Sequence, residues 1–399
     1  MTDADRAAER VARDSYGRLL AYLSARSRDI SLAEEALAEA FARALSTWPD
    51  VGVPDNPDAW LLAVARNAMT DRQRHLTRFH TDAEVPDMPA PEAAQDLPDE
   101  RLTLLMVCAH PAIARDLHTP LMLQTVLGIE ARVIARLFMV SPTALTKRLV
   151  RAKAKIRAAR IPFSLPAHED LPNRAAAIME AIYAVHGVDW VSPGDGLGDE
   201  ALYLADLLAR LLPQDAEAAG LAALIAFGHA RAQARVRDGI LVPTDTQDTA
   251  LWDATLQAYA DRQLTRAFAL GAPGRFQIEA AIQQVHMRRK GTGVTDWEAL
   301  NRLYHALLQI APSTGARVAQ AAVTARVHGP AAGLEALAQI EVEAGTDVQP
   351  LWAARADLLA QLGEGAQAEV AYDKAIALAT DMPVIRFLRG RRDALIDRI

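Results

Sequence analysis

The side chains best suited to chemistry are seven lysines and arginines within one stretch of twenty residues, 141–160. Ser141 followed by Pro142 favours a helix start, because serine caps free backbone amides and proline gives up only an amide that would be unpaired anyway. Apolar residues then recur at helical spacing, at Leu145, Leu149, Ala152 and Ile156. No acidic residue balances the cations, although an exposed helix usually mixes both signs. The stretch predicts a helix that binds a polyanion such as duplex DNA; a basic surface helix of a bundle is the alternative.

The sequence before this basic helix adds a pattern that DNA-binding proteins use. Residues 130–138 favour a short helix, and residues 139–141 a tight turn. A helix, a short turn and a basic second helix make up the helix-turn-helix motif, in which the second helix enters the major groove. Residues 100–161 are therefore predicted to form a helical unit that ends in a DNA-reading helix.

Length, charge and cysteine content limit the class of protein. The 399 residues suffice for two or three domains. Residues 1–165 carry 22 basic and 21 acidic side chains, whereas residues 166–399 carry 21 and 29, so the second part is not predicted to bind nucleic acid. Cys108 is the single cysteine, which excludes a disulfide framework and a multi-cysteine zinc site. We expect a cytoplasmic protein with no membrane partner, because the sequence shows no signal peptide and no membrane-length apolar run.

The N-terminal part of the sequence predicts three helices. The first covers 4–24. Ser31 is predicted to start the second, because Ser31 and Glu34 make a capping box in which each side chain bonds the other residue's backbone amide. The third, 57–78, follows a loop with three prolines and is predicted to be capped by Asn56.

The third helix carries a polar stripe on one face. Asn67, Asp71, Arg74 and Arg78 are spaced so that they line up along a helix. Such a stripe is normally a solvent-facing surface. Asparagine and arginines beside a loop of tryptophan and proline also suit the binding of a single nucleic-acid strand, through phosphate contacts and stacking. The residue pattern alone leaves both interpretations open.

A change in composition separates this first unit from the rest of the chain. Residues 81–100 contain four prolines and seven acids but no base, which predicts an extended linker over 81–99. Beyond residue 166 the pattern predicts about ten helices. The clearest pair, 352–363 followed by 368–378, has the small residues and the turn glycine of tetratricopeptide repeats. Such stacks expose a groove that binds a partner.

The sequence lacks the short motifs that mark common catalytic or cofactor sites. It contains no HExxH, Walker A or Gly-x-Ser-x-Gly sequence, and its ten histidines are scattered. We therefore predict no cofactor, no metal site and no enzymatic activity. An enzyme with its site in the loops predicted over 187–199 and 237–247 remains an alternative, against which the lack of a convergent catalytic set counts.

Several short sequence motifs in the first half of the chain together resemble those of sigma factors of the extracytoplasmic-function type. Residues 56–61, NPDAWL, residues 64–67, VARN, and Asp71 are similar to the promoter-melting segment of that family. Residues 29–37 and 41–44 are similar to the helix by which the family binds the polymerase clamp. A three-helix unit, an acidic linker and a basic recognition helix also follow each other in the family's order.

The second half narrows the resemblance to the subgroup with a C-terminal extension of tetratricopeptide type. Residues 108–112, CAHPA, and 148–153, RLVRAK, resemble short sequence motifs of that subgroup. So do residues 161–163, IPF, residues 252–253, WD, and residues 329–334, GPAAGL. The resemblance covers nearly the whole chain.

The resemblance implies an all-α fold with four parts. They are a sigma region-two-like domain (1–80), the acidic linker (81–99), a sigma region-four-like helix-turn-helix domain (100–165) and a tetratricopeptide-like extension (166–399). The implied partners are core RNA polymerase and promoter DNA, the latter both as a duplex upstream box and as a melted single strand. A protein regulator is expected in the C-terminal groove.

The resemblance also implies three sets of binding residues. The upstream box would be contacted by Ser141, Thr143, Ala144, Lys147, Arg148, Arg151, Lys153 and Lys155. The melted element would be held by Trp48, Asn56, Trp60, Arg66, Asn67, Asp71 and Arg74. The polymerase would be bound by Asp29, Leu32, Glu34, Glu35, Leu37 and Phe41.

The expected function is that of a bacterial transcription initiation factor. It would direct core RNA polymerase to specific promoters, and its C-terminal helical domain would regulate that activity. The alternative is a tetratricopeptide-type adaptor or decoy, whose sigma-like half binds polymerase or a regulator without initiating transcription.

Overall fold

The computed structural model describes residues 3–77, 99–138, 140–167, 169–191, 197–345 and 347–396. These residues fold almost entirely into helices, which confirms the all-α prediction. Their β-structure is one antiparallel hairpin of two short strands, β1 (Val236–Arg237) and β2 (Ile240–Leu241). The predicted linker lies outside the described residues, apart from Asp99.

The helices fall into a first and a second half of the chain. Those of the first half are α1 (Asp3–Ser27), α2 (Ile30–Val51), α3 (Pro57–Thr77), α4 (Arg101–Cys108), α5 (Arg115–Thr125), α6 (Ala131–Leu137), α7 (Pro142–Ala158), α8 (Leu171–Val191) and α9 (Leu197–Leu211). Those of the second half are α10 (Ala216–Ala230), α11 (Ala254–Ala269), α12 (Arg275–Thr292), α13 (Trp297–Ile310), α14 (Thr314–His328), α15 (Pro330–Ala344), α16 (Gln349–Gln361), α17 (Gly365–Leu378) and α18 (Met382–Ile396). The described residues divide into two compact units, one made of those within 1–189 and 194–204 and the other of those within 190–193 and 205–399.

Helices α1, α2 and α3 of the first unit surround one apolar core. Leu19, Leu37 and Leu61, one from each helix, are fully buried there. A polar contact fixes the start of α3 to α1, because Asp58 accepts a hydrogen bond from the Ser15 hydroxyl at 2.9 Å and an ion pair from a neighbouring arginine of α1. The shared core and this contact with α1 therefore fix the position of α3 relative to α2.

The start of α2 differs from the predicted capping box. Asp29 is the N-cap, and its carboxylate accepts hydrogen bonds from the backbone amides of Ser31 and Leu32 at 3.1 and 3.2 Å. The predicted helix start at Ser31 is wrong. Arg28 adopts a left-handed conformation (φ 56°), which ends the preceding turn and places Asp29, two residues before Ser31, at the cap position. A carboxylate is also a stronger acceptor for these amides than a hydroxyl. Glu34 is consequently free to bond elsewhere.

Helices α4 to α7 form the second helical group of the first unit. The predicted start of α7 is confirmed, since the Ser141 hydroxyl accepts from the amide of Ala144 and Pro142 occupies the first helical position. The predicted apolar stripe is also confirmed, because all of its members are buried: Leu145, Leu149, Ala152 and Ile156. Helix α6 precedes α7 with only residues 138–141 between them.

The first unit also includes α8 and the beginning of α9, and so extends beyond the predicted boundary at residue 165. Arg174 of α8 donates to the backbone carbonyl of Met106 at 3.3 Å, and Arg101 of α4 forms an ion pair with Glu200 of α9. The prediction of a loop at 187–199 is wrong for eight of these residues, because α8 contains the first five and α9 the last three; the rest lie outside the described residues.

The second unit is a series of helices, α10 to α18, in which each helix contacts the next. Small residues allow close approach between them. A Cβ at Gly333 of α15 would lie 2.6 Å from the Cβ of Ala325 of α14. The predicted tetratricopeptide-like pair is confirmed as α16 and α17, with Ala356 and Ala368 buried and with Gly363 at positive φ in the turn between them.

Candidate nucleic-acid and polymerase interface

Helix α3 carries the polar residues predicted to hold a melted strand. The side-chain oxygen of Asn56 accepts a hydrogen bond from the amide of Ala59 at 3.1 Å, which confirms Asn56 as the cap of this helix. Asn67 and Asp71 are exposed one turn apart, and Arg66 is half-buried beside them. Asn67 and Asp71 form a polar ridge on α3, whereas the side chain of Arg74 lies outside the described part of the structure.

The two tryptophans predicted beside this ridge lie mostly in the core. The side chains of Trp48 and Trp60 meet edge to face, with ring centroids 5.5 Å apart. Trp48 is 2% exposed, while Trp60 is half-buried at the edge of the core. The indole nitrogen of Trp48 has no hydrogen-bond acceptor among the described residues. A contact between Trp48 and a base would require its ring to leave the core, whereas Trp60 lies nearer the surface.

The predicted polymerase-binding residues of α2 occupy different environments. Leu37 is fully buried in the core of the three-helix domain. Leu32 and Phe41 are half-buried and pack against the edge of that core. Glu35 is exposed and forms an ion pair with Arg72 of α3. Leu37 therefore shapes the domain from inside, and the other three reach its surface.

Asp29 and Glu34 contact α7 of the same unit. The ammonium group of Lys153 donates to both carboxylate oxygens of Glu34, at 2.5 and 2.7 Å. Lys153 is 7% exposed, so its charge is buried together with its partner. Arg157 donates to Asp29 at 3.0 Å. These pairs join α2 to α7 across 119 and 128 residues of sequence.

The other residues of α7 predicted to contact duplex DNA are mostly exposed. Arg148 is half-buried and forms an ion pair with Asp116 of α5. Lys153 is turned toward α2, as described above. The exposed members of the set are Ser141, Thr143, Ala144, Lys147, Arg151 and Lys155. Helix α7 thus has an exposed face with free cations and a second face whose cations are paired.

Three residues outside the predicted sets are important for this arrangement. Arg157 and Asp116 complete ion pairs that involve α7. Gly17 of α1 lies so close to the second helical group that a Cβ there would be 2.0 Å from the backbone oxygen of Val126. Arg157 belongs to the basic run and was visible in the sequence as a cation. The ion-pair partner of Arg157 and the role of Gly17 could not be predicted from the sequence, because contacts across more than a hundred residues leave no local pattern.

Burial alters the chemistry of two groups near the contact between α2 and α7. Burial, and secondarily the charge of Glu34, raises the pKa of the Tyr16 hydroxyl to about 12. Burial also raises the pKa of the Cys108 thiol to about 12, which confirms the prediction of a buried cysteine. The charge of Lys153 lowers the Cys108 pKa and that of Glu34 raises it, so the buried ion pair acts on the thiol in opposite directions.

In the second unit, the helices predicted to form a partner groove line a cavity of about 580 Å³. Its wall is mainly apolar and includes Leu334, Leu359 and Val370. Arg355 also lines it and forms an ion pair with Glu341 at 2.6 Å. The cavity lies at α15, α16 and α17, and so includes the pair of helices predicted to be tetratricopeptide-like.

The predicted loop at 237–247 is held by cations from the helices around it. Arg289 of α12 donates to the backbone oxygens of Thr244 and Gln247 at 3.2 and 2.7 Å. Arg326 of α14 forms an ion pair with Asp245 at 2.8 Å. These contacts anchor the loop to the surrounding helices.

Two features of common functional sites are absent from the described residues. Among them, no three His, Cys, Asp or Glu side chains are placed together so that they could hold a metal ion. Within the same ranges, no helix has both the length and the apolar character needed to cross a bilayer.

Comparison with protein families and other proteins agrees with this geometry. Residues 11–79 match the Sigma-70 region 2 family, and residues 174–268 match a family of unknown function, DUF6596. The domain formed by α1, α2 and α3 is therefore a sigma-70 region 2 domain. This class of non-enzymatic transcription factor domain implies binding to core RNA polymerase and to promoter DNA.

The chain is also similar to a protein of Rhizobium meliloti (strain 1021), the uncharacterized protein R00370. The two are 36% identical over 408 residues, which cover 96% of this chain and 93% of the relative. The chain therefore belongs to the same family as that protein. Among solved structures, yeast Tom70 is similar with a TM-score of 0.35 and 12% sequence identity, over 99% of this chain and 84% of the Tom70 chain.

Proposed function

We propose that the chain is a bacterial transcription initiation factor of the extracytoplasmic-function type, which binds core RNA polymerase and directs it to specific promoters. The match of residues 11–79 to sigma-70 region 2 carries this proposal. The rest of the first unit supports it with the short helix α6 and the basic helix α7, which only four residues separate from α6. Such a succession is typical of a helix-turn-helix motif.

In this proposal α7 reads the duplex upstream box. Residues near the start of a recognition helix reach base edges first, and Thr143, Lys147 and Arg151 are exposed there. Arginine pairs in bidentate fashion with guanine, which makes Arg151 the strongest candidate for base recognition. Lys155 lies farther along the helix, where it would contact phosphate and position the protein without reading sequence.

Helix α3 holds the melted strand in this proposal. Asn67 and Asp71 offer hydrogen-bonding groups to an unpaired base, and Arg66 offers a cation to the backbone next to it. Trp60, half-buried at the edge of the core, is the aromatic residue nearest the surface there. Trp48 would support the ridge from below, since it lies within the core.

Helix α2 binds the polymerase in this proposal. Its edge carries the carboxylates of Asp29, Glu34 and Glu35, which are ion-paired within the free chain, beside the half-buried Leu32 and Phe41. An apolar centre with a charged rim is the usual composition of a protein interface. The carboxylates call for a polymerase surface that carries cations, because complementary charge sets the partner and the rate of association.

The second unit regulates the activity in this proposal, through a protein regulator that occupies the cavity at α15, α16 and α17. A cavity of this size, with mainly apolar walls and the charged side chains of Arg355 and Glu364, suits a side chain or a short helix of a partner. The adaptor or decoy alternative rests on the same cavity and predicts binding to polymerase without initiation.

Genome-wide transcription in vitro separates the two functions. Core polymerase is incubated with sheared genomic DNA from the encoding organism, with and without the purified chain, and the 5′ ends of the transcripts are sequenced. An initiation factor produces new 5′ ends that share an upstream sequence. A decoy binds the polymerase in a pull-down and produces none.

A further inference from the structure

An acidic residue of α5, Asp116, holds one arginine of α7 beside the exposed face of that helix. The Asp116 carboxylate accepts a hydrogen bond from Nη2 of Arg148, and the two side chains form an ion pair. The side chain of Arg148 is 41% exposed and that of Asp116 is 64% exposed. The pair therefore lies at the surface, where a binding partner of α7 can reach it.

The helical period places Arg148 on the part of α7 that is proposed to read DNA. Residues three or four apart share one face of a helix. Arg148 therefore lines up with Ala144 one turn before it and with Arg151 one turn after it, and both of these are exposed. Arg148 also lies within the first two turns of α7, which begins at Pro142. The early residues of a recognition helix are those that reach base edges.

An acidic side chain at this position opposes the charge of the helices around it. Residues 101–160 contain eleven lysines and arginines but only two acids, Asp116 and Glu130. A carboxylate near a phosphate backbone weakens binding, because the two groups carry the same sign. If α7 only attracted phosphates, Asp116 would work against it. A gain in sequence recognition would offset this loss of affinity.

The guanidinium group of Arg148 keeps donors for a second acceptor while it is paired. Arginine carries five N–H donors in one plane, and Asp116 accepts from a single nitrogen. The remaining donors suit the two acceptors that guanine presents in the major groove. The ion pair also restricts a long, flexible side chain before DNA arrives, so less conformational entropy is lost on binding.

We infer that Asp116 is a positioning residue for sequence recognition, and that Arg148 is a base reader that brings no net charge to the DNA. This assignment rests on the function proposed above. Asp116 holds the guanidinium group toward one base pair and cancels its attraction for phosphates. The pair therefore contributes discrimination between sequences, whereas the exposed Lys155 contributes affinity for any duplex.

The test uses the complete complex, the full chain with core polymerase, and duplexes that carry the upstream box of a promoter found by the genome-wide assay. Each base pair of the box is replaced in turn, and binding is measured over a range of salt concentrations. The discrimination ratio is the affinity for the original box divided by the affinity for the duplex with one replaced base pair. The slope of log affinity against log salt concentration reports the phosphate contacts.

Asp116→Ala removes both the hydrogen bond and the charge. It should lower the discrimination ratio about 5-fold at one base pair, the lower end of the value of a bidentate base contact. Binding to unrelated DNA should strengthen, with a salt slope steeper by about one, because a positive charge is freed. Asp116→Asn keeps an acceptor for Arg148 but loses the charge. It should steepen the salt slope equally while it retains more of the discrimination.

Removal of both partners separates this role from a general loss of charge. Asp116→Ala combined with Arg148→Ala should abolish discrimination at the same base pair and leave the salt slope unchanged, because the pair is neutral as a whole. Glu130→Gln is the matched control, since Glu130 is an exposed acid paired with Arg132 of α6. It makes the same change of charge as Asp116→Asn and should leave the discrimination ratio unchanged at every base pair. Circular dichroism and binding to core polymerase verify that each variant folds.

Two results would overturn the inference. An unchanged discrimination ratio at every base pair in Asp116→Ala would show that Asp116 only stabilises α5 or repels phosphates. A salt slope that is shallower by about one in the double variant would show that Arg148 is a phosphate contact. If the complex recognises a promoter but gives either result, the inference alone fails. If the chain directs core polymerase to no promoter, the proposed function fails, and with it the role of Asp116.

Discussion

Helices α3 and α7 both present polar side chains suited to DNA, but their surroundings differ. On α3, Asn67 and Asp71 are exposed and stand on a domain with its own apolar core. On α7, Arg148, Lys153 and Arg157 are already paired with carboxylates of the same unit. The difference shows that a basic run in a sequence is not a measure of free positive charge. The charge that DNA meets is the part that the fold leaves unpaired.

The largest effect is expected in the apolar core that supports α3, because the exposed polar residues of α3 depend on a folded three-helix domain. Leu37→Ala removes a fully buried side chain and should lower the free energy of unfolding by about 2–5 kcal/mol. Denaturant unfolding followed by circular dichroism measures it. Leu45→Ala, on the same helix but half exposed, is the control and should change the free energy by less than about 0.5 kcal/mol. Equal effects of both changes would show that this core does not support α3.

A smaller effect is expected from the free face of α7. Arg151→Ala should weaken promoter binding by the polymerase complex by about 1–3 kcal/mol, because a bidentate contact to a base is lost. Filter binding on promoter and on unrelated DNA measures it. Arg132→Ala, which removes an exposed arginine of α6 that is paired with Glu130, should have little effect. Equal losses on both DNAs would demote Arg151 to a phosphate contact.

The ridge on α3 is expected to contribute less per residue. Asn67→Ala should weaken binding of a single-stranded promoter oligonucleotide by about 0.5–1.5 kcal/mol, the usual net value of one hydrogen bond. Arg72→Ala is the comparison, since its guanidinium group is occupied by Glu35. If Arg72→Ala cost more than Asn67→Ala, the strand would follow another face of α3.

The smallest effect concerns Cys108, which lies near the paired face of α7. With a pKa of about 12, the thiol should be about 10⁻⁴ ionised at pH 8 and should not react with a thiol reagent in the folded protein. Full reaction should follow unfolding in denaturant. Rapid reaction of the folded protein would show that the α4–α7 group opens readily.

Local features of the fold were predictable from the sequence because their causes are local. Ser141 caps α7, and Leu145 and Leu149 lie on its buried face, since capping and helical periodicity act within a few residues. The start of α2 was not predictable in the same way. Ser31 fits a capping box by sequence, but the turn at Arg28 gives Asp29 the position.

The arrangement of the candidate site was predictable only in part. The types of residue on α2, α3 and α7 follow from the sequence and from the family resemblance. The pairing of Lys153 with Glu34 does not, because the two residues are 119 positions apart in the sequence. The burial of Trp48 was also hidden, since a tryptophan before a proline-rich loop fits a core as well as a surface.

In the function proposed above, one chain carries two DNA-reading helices, α3 and α7, with separate tasks. Permanganate footprinting of unpaired thymines, combined with nuclease footprinting of the duplex, tests it on a promoter found by the genome-wide assay. We expect that polymerase with the chain opens the DNA and makes thymines reactive. Asn67→Ala should reduce this reactivity while upstream protection persists, and Arg151→Ala should remove the upstream protection. No thymine reactivity above that of core polymerase alone, or equal loss of both footprints in both variants, would contradict it.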